Sequence, residues 1–419
     1  MLRLSKALLN EVEGYERMVF RGSLMRLASL FLSFTLLLSG CAQFNAIKDL
    51  ATSFGGLMGG TDNSEPPKEL ESLEPTVNLS LLWKTSVGKG YDNQIVNLVP
   101  AVTSSTVYVA DRKGLVEAHG RQDGDTLWSV STKLELSAGP VVAGDKLLLG
   151  TSNAELIAIS LADGALLWKT MLSSEILALP KASRNIAVVR TSDGRLAGLD
   201  LGNGAVKWSH ERSIPPLSVR SLGSPTIHGD VVLDGFGGGK LIALGLTDGK
   251  PVWETIVAIP HGRSEVERLV ELDADPLVKD DVVYITGFQG GVTAVNLQDG
   301  DVQWRQNTVY SSHGLAAGRR SLFISDARSD VWQLDMASGR DLWKQDALHQ
   351  RRLTVPALIR DRLVVGDFEG YLHVLSADDG RLVGRLEIDD EPIRATPVVQ
   401  DETLFVYTAG GVLAAIGIN

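Results

Sequence analysis

The chain has one cysteine, Cys41, among 419 residues. A single thiol excludes a disulfide framework within the chain and the cysteine clusters of zinc or iron–sulfur sites. Long apolar runs are as scarce. Only Leu27 to Leu38 is almost wholly apolar, too short for a spanning helix of roughly 20 residues. Basic residues are outnumbered 40 to 51, for a net charge of −11. That balance disfavours nonspecific nucleic-acid binding, because nothing neutralises the phosphate backbone. The seven histidines show no repeated spacing and no motif with a carboxylate ligand, so they point to no metal site. "GFGGGK", from Gly235 to Lys240, lacks the spacing and following Ser/Thr of a phosphate loop and reads as a turn between strands. No serine sits in a nucleophile elbow. "DADP", ending at Pro276, is too short for an EF-hand loop. No catalytic, cofactor-binding or metal-binding residue is assigned.

What is present begins with that apolar run. Arg21 and Arg26 precede it, and Leu38-Ser39-Gly40-Cys41 follows. A basic lead, a short apolar core and small residues at the exit are the parts of an export signal. The Leu-Ser-Gly-Cys order resembles the bacterial lipoprotein box, which makes Cys41 the expected lipid-bearing first residue after residues 1–40 are removed. Met25 is an alternative start, since Met25-Arg26 opens a conventional signal. Removing residues 1–40 takes away five basic and three acidic side chains, leaving −13. Residues 41–78, rich in Gly, Pro and acid ("GGLMGGTDNSEPPKELESLEP"), have too little apolar periodicity for a core and read as a lipidated flexible tether. Ala42 follows the cysteine; the absence of Asp there resembles lipoproteins sent on to the outer membrane.

From residue 79 to 419 the chain repeats itself. "DGDTLW", "DGALLW", "NGAVKW", "DGKPVW", "DGDVQW" and "SGRDLW" end at Trp128, Trp168, Trp208, Trp253, Trp304 and Trp343. A seventh copy, "DGRLVG", has Gly384 in the Trp position. Units open on "PAV", "PVV" or a variant, from Pro100 to Pro397, and the unit near Ala316 has lost its proline. A period of 40–50 residues holding four short β-branched strands is the signature of a propeller blade. The Asp-Gly pair is expected to supply the positive backbone angles of a tight hairpin. The tryptophans are expected to wedge one blade against the next. The last unit, from Pro397, supplies only three strands, and "LSLLWKTSV" around Trp83 supplies the missing outer one. The sequence therefore predicts an all-β, eight-bladed propeller of four-stranded antiparallel blades. Its last blade is closed by the N-terminal strand, which protects both exposed edges.

Function on a repeat scaffold tends to sit in the insertions. From Trp to the next Pro takes 12 residues after Trp128 and Trp168, but 17 after Trp208 and 23 after Trp253. The two insertions occupy equivalent places in successive blades, so they must be neighbours on one face. The first offers Leu217 and Val219 beside Arg220; the second sets Arg263 and Arg268 among Glu265, Glu267, Glu271 and Asp273. An apolar centre with charges around it is the composition of a protein contact. Val87 to Val99 is a lead-in of similar length for the same face.

The lipoprotein box, the acidic tether and the Trp-bearing repeats together resemble the BamB family, the propeller lipoproteins of the outer-membrane β-barrel assembly machine. That resemblance implies a non-enzymatic scaffold, lipid-anchored on the periplasmic side of the outer membrane. It would bind the periplasmic polypeptide-transport-associated domains of the barrel-bearing subunit, with unfolded outer-membrane proteins as a further partner. It implies two partner-binding loops. A Leu-x-Leu-Arg pattern stands here as Leu217-Ser218-Val219-Arg220, and an acidic pair as Glu271 and Asp273. Whether that pair touches the partner or holds Arg220 and shapes the loop stays open. The blade motif is shared with quinoprotein dehydrogenases that use pyrroloquinoline quinone. That is the alternative function, although this chain cannot supply their vicinal cysteine pair. A lipoprotein scaffold for another complex is a third reading.

Overall fold

A blade of this repeat must bury one Trp-bearing face that it cannot cover by itself, and the neighbouring blade does the covering. The computed structural model describes residues 65–211, 222–259, 270–311 and 313–418. Within them the strands form eight antiparallel sheets arranged as a ring. Blade one is typical, with Ala101–Val102, Thr106–Ala110, Leu115–Gly120 and Thr126–Ser131 running from the axis outwards. Blade two also carries Asn97–Leu98 as a short parallel addition to its inner strand. The eight-bladed expectation is correct. The closure is as expected too: Leu79–Ser86 pairs with Val412–Ile418, placing Trp83 opposite Ala415 in blade eight.

Seven tryptophans make the same contact. Each indole N–H donates to a backbone carbonyl of the next blade at 2.8–3.2 Å, as Trp83 does to Arg121 and Trp168 to Leu201. Each ring also lies on the turn glycine of that next blade. A Cβ added to Gly124, Gly204 or their five equivalents would sit 2.5–2.9 Å from the indole. The same glycines have φ of 65–80°, so glycine is required twice over. Here the structure corrects the hairpin expectation. Only the glycine of the Asp-Gly pair has positive φ; the acid instead accepts an amide two residues on, as Asp163 does from Ala165.

Across the sheet six of the seven face a small residue of the third strand: Ala415, Ala118, Ala158, Gly198, Ala243 and Ala294 oppose Trp83, Trp128, Trp168, Trp208, Trp253 and Trp304, while Trp343 faces Gln333. In blade seven the sizes are exchanged, with Gly384 opposite Val374. The reason lies in the ring closure. Blade eight has no turn glycine for a tryptophan to cover, because its third and fourth strands come from opposite ends of the propeller segment. Val77 fills the space instead, its carbonyl oxygen 3.0 Å from where a Cβ on Gly384 would be, and its amide donates to Val383. The hydrophobic core is correspondingly a set of clusters between blades. Leu148, Leu156, Trp168, Val189 and Leu199 fill the second junction, and Val77, Val374, Ile393 and Val406 fill the seventh.

Residues 66–78 belong to this unit, which begins at Pro66. That shortens the segment expected to be a tether, whose residues 41–64 lie outside the described residues, as do residues 1–40. Val77 is 6% exposed and joins the core, so burial, not composition, decides where the propeller starts.

Replacing Trp168 by Ala should cost about 3–5 kcal/mol of stability, read from chemical denaturation. Gly384→Trp restores the repeat yet should destabilise, because the ring would meet Val77. A melting temperature raised by Gly384→Trp would sink this account of the seventh junction.

Candidate functional site

In a four-stranded antiparallel blade the connection from outer strand to the next inner strand lies at the same end as the middle hairpin. The inter-blade connectors and the turns between second and third strands therefore share one face, the connector face. The Asp-Gly turns lie on the opposite face. The two long connectors leave Val206–His210 and Pro251–Ile256, the outer strands of blades three and four.

Their bases are built into each other. An added Cβ on Gly223, at the end of the first connector, would lie 2.1 Å from the carbonyl oxygen of Asp273 in the second. The expectation that the insertions are neighbours is thus met at backbone contact. Asp275 fixes the junction: it accepts the Ser224 amide at 2.6 Å and pairs with Lys181 at 3.3 Å. The Ser224 hydroxyl takes the Leu179 amide, and Thr226 donates to the Pro276 carbonyl. The lead-in joins from its place beside blade two, where the Asn97 amide group donates to the Leu222 carbonyl at 3.3 Å. Leu222, Gly223, Asp273, Asp275 and His313 line the mouth of an axial cavity of about 410 Å³.

The second connector is threaded between the middle hairpins of blades four and five. Glu271 bridges Gly237 on one side and Phe288 on the other through its backbone. The "GFGGGK" stretch is the slot that receives it: Gly239 accepts the amides of Val257 and Ala258, and Gly238 donates to Val270. On the far wall, a Cβ on Gly287 would lie 2.0 Å from the Glu271 carbonyl. Only a residue without a side chain lets the connector pass.

Beneath the junction is a buried charge. Asp234, 1% exposed, faces Arg190 of the preceding blade at 3.4 Å. Arg190 also donates to the Gly223 carbonyl and lies over the Phe236 ring. Burial pushes the Asp234 carboxyl up to about 7; Arg190 pulls it down and Asp275 raises it further. The ion pair and the raised pKa point in opposite directions. Desolvation wins because the carboxylate is wholly enclosed while Arg190 meets one oxygen at long range.

Of the residues singled out from sequence, Glu271 and Asp273 are 4% and 5% exposed and stand at the base of the two connectors. Leu217, Val219 and Arg220, in residues 212–221, lie outside the described residues, and so do Arg263, Arg268 and Cys41, the position expected to carry lipid. Asp275, Ser224, Arg190 and Asp234 were missed. "DADP" was the visible signal for Asp275, whose oxygens go to Ser224 and Lys181.

The family profile described as outer membrane protein assembly factor BamB matches residues 112–345 and 337–419. A protein of that name from Legionella pneumophila (strain Paris) is 44% identical over 364 residues, 86% of this chain and 94% of its own length. The one from Escherichia coli (strain K12) is 34% identical over 390 residues, covering 91% and 96%. Among solved structures, BamB from Moraxella catarrhalis matches with a TM-score of 0.73 at 25% identity, covering 81% of this chain and 100% of that one. The quinohemoprotein alcohol dehydrogenase from Comamonas testosteroni reaches 0.68 at 12% identity, covering 81% and 76%, a likeness of fold alone.

Asp234 sets a pH dependence. Its folded pKa is raised from the unfolded value of about 3.9, so between there and about 7 the folded state holds the extra proton. Stability therefore falls as pH rises through that window, by up to about 1.4 kcal/mol per pH unit. Asp234→Asn should flatten the slope between pH 5 and 7; parallel denaturation curves would refute the assignment. Gly287→Val should expel residues 270–272 from their slot with the ring intact, seen as rapid hydrogen exchange at the Glu271 amide.

Proposed function

Because the chain belongs to the BamB family of outer membrane protein assembly factors, we propose that it serves outer-membrane protein assembly as a non-enzymatic scaffold. It is anchored through lipid on Cys41 to the periplasmic side of the outer membrane. Its connector face binds the periplasmic domains of the barrel-bearing subunit. Leu217 and Val219 provide the apolar anchor, and Arg220 reaches a partner carboxylate through a charge-assisted hydrogen bond.

The observation that carries this reading is the backbone contact between Gly223 and Asp273. It welds the bases of the two longest connectors into one platform, so a partner meets a single preorganised surface instead of two independent loops. Glu271 and Asp273 are enclosed at that base, which favours a role in shaping the loops over direct contact. The polar groups around them are spent on architecture: Asp275 on Ser224 and Lys181, Arg190 on Gly223 and Asp234. Such engagement supports binding over catalysis, since a catalytic group must be free to meet a substrate. The dehydrogenase alternative rests on the shared propeller, and fold alone does not carry function.

Capture of the full-length protein from gently solubilised envelopes, with mass spectrometry of what accompanies it, tests the proposal. The wild type should retain a large outer-membrane barrel subunit. The Leu217→Ala/Arg220→Ala variant should lose it at least tenfold, consistent with one apolar and one charged anchor at roughly 1–2 kcal/mol each, while keeping its circular dichroism. Retention of the subunit by that variant would move the interface elsewhere.

A further inference from the structure

Residues 66–78 make more contacts with blade seven than ring closure needs. At the connector face, the Lys68 amide donates to the His349 carbonyl at 3.0 Å, and its ammonium pairs with Asp346 at 3.1 Å. The Lys68 carbonyl in turn accepts from Arg351 at 3.1 Å. Arg351 is itself 2% exposed and held by Asp367, which is fully buried, and by Glu369. Three residues on, the Glu71 carbonyl accepts from Arg385 at 2.9 Å. Leu70 packs on the core between blades six and seven. At the opposite face, the Thr76 and Val77 amides both donate to Val383 at 2.9 Å. The segment therefore runs the full height of the blade, beside its outer strand Leu382–Glu387.

The direction of this run matters. Outer strands start at the Asp-Gly-turn face and end at the connector face. The closing strand Leu79–Ser86 is an outer strand, so a chain that simply entered it would arrive on the turn face. Residues 66–78 instead bring the chain in at the connector face, beside the connector that holds Asp346 and His349. Two guanidiniums aimed at main-chain carbonyls three residues apart form a receptor for extended backbone, one of them locked by a buried carboxylate.

We infer that residues 66–78 are a latch, with Arg351 and Arg385 as its receptor, that moves the point of membrane tethering to the connector face, the side on which the two long connectors stand. The inference rests on the proposal that Cys41 carries lipid. The displacement is about 20 Å, the height of a six-residue strand. Twenty-four residues separate Cys41 from Pro66. The effect of the latch is on which face of the propeller turns toward the bilayer.

The test uses the full-length, membrane-extracted protein and a Leu70→Asp variant, which breaks the apolar contact of the latch and leaves every ring residue in place. Hydrogen exchange should show the Lys68 amide, which donates to His349, protected at least about tenfold in the wild type, with that protection lost in the variant. Fast exchange of this amide in the wild type, or equal protection in both proteins, overturns the latch whether or not Cys41 is acylated. For orientation, the protein is reconstituted into phosphatidylethanolamine/phosphatidylglycerol vesicles bearing a headgroup acceptor dye. With Cys41 acylated, a donor on Arg328→Cys (connector face) or Gln298→Cys (turn face) is the only labelled thiol. The wild type should transfer energy more efficiently from position 328, and the latch variant should lose that bias. Stronger transfer from position 298 in the wild type overturns the orientation. Failure to partition with vesicles overturns the lipid anchor and the orientation together, while hydrogen exchange still decides the latch.

Discussion

Everything in this molecule depends on the clasp between a tryptophan and the turn glycine of the next blade. The indole N–H meets a carbonyl and the ring covers a residue that has no side chain. Each clasp joins two sheets that could not be stable apart, and it works only if the glycine also takes a left-handed conformation. One residue thus satisfies a steric and a torsional demand together. Because the contact always points from one blade to the following blade, seven clasps define a direction around the ring. The one remaining junction, the seventh, leads into the blade built from both ends of the propeller segment and must be made by other means. Val77 and Gly384 are that means.

This logic explains what was legible in the sequence. The clasp is periodic and uses two of the most recognisable residues, so blade number, strand number and ring closure could be read directly. Connector lengths after Trp208 and Trp253 marked the candidate site for the same reason: a departure is visible against a regular background. Docking of residues 66–78 was not legible. Its bonds run from arginines some 280 to 315 positions away to main-chain carbonyls, and a carbonyl leaves no mark on a sequence. Gly384 was the one trace, visible as a break in the repeat but unreadable without knowing what filled the space.

The site shows the same division. Leu217, Val219 and Arg220 stood out as an apolar centre beside a charge. Asp275, which holds the two connectors together, looked like one more acid in an acidic stretch. Asp234 and Arg190 lie inside ordinary β-strands of different blades, 44 residues apart, where periodicity assigns them to a sheet and says nothing of their pairing. The buried carboxyl is a cost to the fold, tolerated where it braces the platform. Polar groups that serve a site in this way are its least visible members.

The pairing of Leu79–Ser86 with Val412–Ile418 also governs when this domain can come into being. The first strand of the propeller has no partner until the last has been made, so the ring is a knot that ties only once. A chain that emerges from its N-terminal end holds its first strand unpaired until the last arrives, and gains its full cooperativity in one closing step. Topology of this kind ties the completion of folding to the arrival of the whole chain.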